Sequence, residues 1–181
     1  MSSYEMGRVL GITAGVVISV LLVVVFAKFF RKDGSLKCKY DERQELVQGR
    51  GFKYGFFTLL AYEFFQMICG NWLEGIVMQE VIIIFGMGIS VMVYASYAIL
   101  NDGYIALNEN PQRVGIVFLV IAVWNIFIAI MEISEGHFFE DGLISYPATN
   151  MILGVMMLYV VVLLVVKKYV RKEGAEGQED E

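Results

Sequence analysis

The amino-acid sequence predicts an all-α integral membrane bundle of five transmembrane helices, N-terminus outside and C-terminus in the cytoplasm. Three observations point there. Hydrophobic residues make up 57% of the chain, where soluble domains run at about 45–50%. They are gathered into blocks of membrane-spanning length. Lysine and arginine alternate between the connections that join those blocks.

A helix needs about 20 mostly apolar residues to cross roughly 30 Å of hydrocarbon, and five stretches meet that length. The first, Val9 to Phe30, is almost purely aliphatic. The second, Gly55 to Leu73, is rich in aromatic residues. The third runs from Val81 to Leu100, the fourth from Val114 to Ile133 and the fifth from Asn150 to Val170. The first block does not read as a cleaved signal: Glu5 precedes Arg8, the apolar run is long, and Arg31-Lys32 follows it without a small-residue cleavage site. Residues 1–172 therefore read as one transmembrane domain, and residues 173–181 as a disordered acidic tail.

Orientation follows from the basic residues. Arg31, Lys32, Lys37, Lys39, Arg43, Arg50 and Lys53 follow the first block, Arg113 follows the third, and Lys167, Lys168, Arg171 and Lys172 follow the fifth. The remaining connections hold Glu5, Glu74, Glu80, Glu135, Glu140 and Asp141 against the single cation Arg8. An even number of crossings would place the last basic cluster on the wrong side. A multi-pass protein of the cell membrane is the expected location. The net charge of −5 hides this segregation. Interspersed acids (Asp33, Asp41, Glu42 and Glu45) argue against nucleic-acid binding, which leaves the lipid bilayer as the first partner.

Local signals fix the joints. Asn110-Pro111 reads as an N-cap with proline at the first helical position, and Pro147, Thr149 and Asn150 read as the start of the fifth helix. Glu80 suits the first turn of the third helix. Residues 40–50 predict a short cytoplasmic helix with an acidic start, bending at Gly49 and Gly51 before the second span, with Leu46, Val47 and Phe52 available to the interface. Cys38 and Cys69 fall on opposite sides of this topology, so no disulfide is expected.

Glu63 is the most informative polar position. A carboxylate at the bilayer centre costs about 2.5–3.5 kcal/mol, so Glu63 is expected to face the bundle interior beside Gln66. There it serves a proton or cation relay, or is held by a neighbouring tyrosine, asparagine or carbonyl that fixes packing. Asn125 lies at similar depth in the fourth span, and the two are expected to face each other or a shared cavity, with Asn125 acting as interhelical glue. Gly11 and Gly15, and Gly86 and Ser90, have the spacing of close helix contacts, within the bundle or between copies. The loop around His137 also holds Glu135, Glu140 and Asp141, a weak candidate for a divalent metal whose spacing matches no established site. No nucleophile set, phosphate-binding loop or cofactor motif is present, so neither a cofactor nor an enzymatic activity is expected.

Two cytoplasmic stretches resemble a known group. Tyr40-Asp41-Glu42-Arg43-Gln44, followed by Gly49 to Phe57, is similar to a motif of small uncharacterised multi-span membrane proteins of Firmicutes, and Gly103 to Pro111 resembles a second motif of the same proteins. The likeness covers Tyr40 to Arg113. It implies a bacterial membrane protein with a five-span layout and no particular reaction. It draws attention to a surface on which Asp41, Glu42, Arg43 and Gln44 meet Asp102, Asn108 and Glu109, either to bind a partner or simply to close the bundle. The expected function is that of a regulatory or accessory subunit, with a membrane-protein partner or a second copy. The alternative is a small oligomeric transporter or channel that uses Glu63.

Overall fold

A computed structural model describes residues 3–33, 35, 37–70, 73 and 75–176; within its helices, residues 3–6, 8–12, 14, 19, 27 and 171–176 are described by backbone alone. Five helices carry the fold: α1 (Ser3–Phe30), α2 (Glu42–Cys69), α3 (Gln79–Leu100), α4 (Pro111–Ser134) and α5 (Pro147–Glu176). A two-residue-per-strand hairpin, β1 (Phe139–Glu140) with β2 (Leu143–Ile144), lies between α4 and α5. The helices α3, α4 and α5 are long and apolar enough to cross a membrane. The helix α1 contains the apolar stretch Gly15–Phe30, and α2 opens on charged residues and carries Glu63 and Gln66 along its apolar half.

The main helix contacts run α2 to α3, α3 to α5 and α5 to α4, with α1 resting lightly on α4. The fold is thus a row in which α2 is one edge. Its joints are made by size complementarity. On α2, Gly51 takes the Tyr94 ring of α3, Gly55 lies against Ser90, whose hydroxyl donates to the Gly55 carbonyl at 2.8 Å, and the Tyr62 ring covers Gly86. A Cβ on Gly86 would overlap that ring. The Tyr62 hydroxyl donates to the Ile82 carbonyl at 2.7 Å and accepts from Gln66 Nε2 at 2.8 Å. Further along the row, Gly88 admits Met156 and Gly154 admits Ile126. Backbones can approach closely at such positions, as membrane helices need when lipid offers no hydrophobic drive between them. The central joint is Ala95, Ile99 and Val160, with Tyr104 and Phe118 packed against them, and Ser96 hydrogen-bonds Tyr159 at 2.6 Å between α3 and α5.

Several boundaries differ from the sequence expectation. The short helix expected at 40–50 and the second span are one helix, because Gly51 and Gly55 serve as contact points on α3 rather than as breaks. The helix α5 starts at Pro147 and continues to Glu176; Thr149 and Asn150 lie inside its first turn, their side chains bonded to the Tyr146 carbonyl and to Glu132. Asn110 does cap α4, accepting from Gln112 and Arg113 amides. The two cysteines are free thiols. The surroundings of Gly11 and the positions of Glu74 and residues 177–181 lie outside what is described.

Candidate functional site

The basic connections meet at one end of the row. The described residues of the segment 31–41 lie along the loop 101–110, between the end of α1 and the start of α2. Backbone pairing starts the contact: the Lys32 amide donates to the Asn108 carbonyl at 2.8 Å, the Asn110 amide to the Phe30 carbonyl at 2.9 Å, and the Leu107 amide to the Lys39 carbonyl at 2.8 Å. Asn108, only 8% exposed, then threads the strap with its side chain. Its Nδ2 lies within hydrogen-bond distance of Asp33, Ser35 Oγ and the Lys37 carbonyl, at 3.0–3.3 Å, and its Oδ1 accepts from the Lys39 amide at 3.0 Å.

The first turns of α2 are fastened to the same loop. Asp41 caps the helix in a reciprocal capping box with Gln44. Asp102 adopts a left-handed backbone (φ 59°) that ends α3, and the Gly103 amide returns to the Ala98 carbonyl, the bonding pattern of a Schellman motif. This turn offers its carbonyls outward, and Gln44 Nε2 donates to those of Asp102 and Ile105, both at 3.0 Å. Gln48 Nε2 reaches the Gly103 carbonyl at 2.9 Å and Arg43 Nη1 that of Asn101 at 3.2 Å. Val47 packs where a Cβ on Gly103 would stand. From α5, Lys167 donates to the Leu100 carbonyl and lies 3.3 Å from the Asp102 carboxylate.

A buried polar knot lies beneath the strap. Arg31 is 9% exposed; it donates to the Ser35 carbonyl at 2.9 Å and to Cys38 Sγ at 3.1 Å, and its Nε has no partner among the described residues. The Cys38 thiol in turn lies 3.6 Å from Glu109 Oε1, while Glu109 Oε2 accepts from the Ala106 amide at 3.0 Å. Removal from water, and then the neighbouring Cys38 and Glu109, raise the Tyr40 phenol above its ordinary value. Burial pushes the Tyr104 phenol up to about 12. The Lys39 ammonium, 2.8 Å from Asp33, holds that carboxyl well below the usual carboxylate range, helped by the Ser35 amide.

The structure thus brings Arg43 and Gln44 to the loop after α3, and Asn108 and Glu109 to the strap, and it spends their hydrogen-bonding capacity inside the protein. Glu42 remains exposed. Sequence reasoning missed Arg31, Asp33, Ser35, Cys38 and Gln48 as members of this cluster. Arg31 and Asp33 were read only through their charge, and no spacing rule joins residues some 70 positions apart.

The mid-helix polar residues are arranged differently from the expectation. Glu63 does not face Asn125 or a shared cavity: it is exposed on a flank of α2, with no hydrogen bond or ion pair among the described residues. Asn125 donates to the Ile121 carbonyl of its own helix at 2.8 Å. The reason is geometric. The face of α2 that meets α3 is set by Gly51, Gly55 and Tyr62, about a quarter turn from Glu63 at 100° per residue, and α4 makes its main contact with α5. Gln66 is turned toward Tyr62. Gly86 and Ser90 do lie in a tight helix contact, whereas the space beside Gly15 is open to 4 Å. The acidic-end candidates do not converge: His137 Nδ1 lies 3.6 Å from Glu135, and among the described residues no three potential ligands are placed to hold a metal.

No protein-family model, no curated protein and no solved structure matches this chain.

Proposed function

We propose that this chain is a five-span protein of the cell membrane, with its basic end in the cytoplasm, that acts without catalysis by holding a membrane-protein partner against the projecting turns of α2. The segregation of Lys and Arg to one end supports the orientation. The apolar runs Val9–Phe30 and Gly55–Leu73 support the crossing of α1 and α2 alongside α3, α4 and α5. One observation carries the functional reading. The inner side of α2 is fastened by Gln44, Val47, Gln48 and Gly51, while Glu42, Glu45, Leu46, Gly49, Arg50 and Lys53 line an open recess on the other side. Leu46 is 64% exposed at its centre. A rigidly held helix with an apolar spot between acidic and basic groups suits a helix of reversed charge order.

Affinity isolation of the full chain from its own membrane tests this. Wild type is expected to retain a defined partner, and Arg50→Glu with Lys53→Glu to release it while the clasp stays protected from hydrogen exchange. Absence of any partner, or equal recovery with the double variant, overturns the reading. The transporter alternative needs Glu63 on a path; with that residue on the outer flank of α2, such a path runs between copies of the chain rather than through one.

A further inference from the structure

We infer that two copies of this chain associate side by side in the membrane through the flank of α2 that carries Glu63. The inference rests on the five-span reading. Glu63 lies eight residues beyond Gly55, about 12 Å along the helix at 1.5 Å per residue, against a hydrocarbon half-thickness of about 15 Å. Lipid tails offer a carboxyl no hydrogen-bond partner at that depth, and the chain itself gives it none among the described residues.

The surroundings say what kind of partner fits. Phe56, Leu60 and Met67 flank Glu63 at helical spacing and are 57%, 37% and 75% exposed, so the carboxyl is the one polar group on an apolar stripe. Ionisable side chains at that depth pair with one another, and a two-fold axis along the membrane normal brings the same residue of two parallel helices together. A single polar residue in such a seam also fixes its register. The position of α2 leaves the way clear: α3 covers one side of it, and α1 rests on α4. The free ends of the row are then its natural points of contact.

Site-specific cross-linking of the full chain in membranes tests the pairing. In a Cys38→Ser, Cys69→Ser background, single cysteines at Leu60 or Met67 are expected to give disulfide-linked dimers on copper-phenanthroline oxidation. Cysteines at Ala61 or Phe65, exposed on the opposite flank, are expected to give few. Glu63→Leu should lower the yield at Leu60 by about three- to twentyfold, the span that interhelical polar contacts in membranes reach. Glu63→Gln should keep it, since an amide can donate to and accept from a copy of itself. Three results overturn the pairing: no dimer at any position, equal yields on both flanks, or cross-linking to a different protein. Alkaline carbonate extraction separates this from the underlying reading. A chain released into the soluble fraction removes both, whereas a retained chain without cross-links removes the pairing alone.

Discussion

The two ends of the helical row are built by different means. At the basic end, side chains are added to the backbone pairing of strap and loop: Gln44, Gln48 and Asn108 reach across to backbone groups of another segment, and Lys167 ties in α5. At the acidic end the backbone does most of it. The Met78 amide donates to the Ile144 carbonyl at 3.0 Å, and the Ile144 amide to the Ile76 carbonyl at 2.8 Å, so the β1–β2 hairpin latches onto the α2–α3 connection. Ser145, 2% exposed, adds a side-chain link by donating to the His137 carbonyl at 2.7 Å, and Asn150 adds another by donating to Glu132 at 3.2 Å. Backbone pairing tolerates many sequences, whereas a side-chain clasp depends on particular residues. Substitutions should therefore be felt more sharply at the basic end.

Asn108→Ala gives the largest expected effect. It removes one side chain that serves four partners, and loss of about 3 kcal/mol is expected from a buried amide whose partners are left behind. Thermal unfolding in detergent, with amide exchange at Lys39, measures it; a change under about 0.5 kcal/mol would mean the strap is held by backbone pairing alone. Gln44→Ala comes next, at about 2 kcal/mol, since both carbonyl contacts and half of the capping box go together. Ser145→Ala, the acidic-end counterpart, should cost about 1 kcal/mol, and a larger loss than Asn108→Ala would reverse the comparison.

The pH responses are the smallest, and two groups of the basic end differ in their sign. Asp33 is held below its ordinary value of 3.8 by Lys39 and the Ser35 amide. Its contribution is present above that value and is lost as pH falls further, so amide protection at Ser35 and Lys39 should decline in acid. Tyr104 is raised by burial. Its contribution is complete below its ordinary value of 10.0 and is lost as pH rises toward about 12. Tyrosinate absorbance and loop protection should change together there, and an early titration of Tyr104 would place it outside the core joint.

Much of the helical layout was legible because its signals are local or periodic. Apolar blocks located α3 and α4 to within a few residues but missed the first half of α2, Asn110-Pro111 marked the start of α4, and the small residues Gly86 and Ser90 marked a close contact. Glycine alone was ambiguous: Gly49 and Gly51 read as a bend, yet Gly51 packs on Tyr94 within an unbroken helix. The facing of Glu63 was illegible for a different reason. Depth can be counted along a sequence, but rotation depends on which neighbour packs where, and that was decided by Tyr62 and Gly86 rather than by the carboxyl. The clasp was half visible. Its residues were singled out from both loops, but their internal use and the part played by Arg31 and Cys38 required the path of the strap.

That path also sets a timetable for synthesis. Asn108 lies 69–75 residues after the positions it holds at 33–39. When α1 and α2 leave the ribosome, the loop that fastens them does not yet exist, and the segment 31–41 stays unlatched until α3 and the turn after it have been made. The chain is thus assembled from its middle outward: α2 can settle on α3 first, the strap closes second, and α1 acquires its berth on α4 only after that helix has emerged.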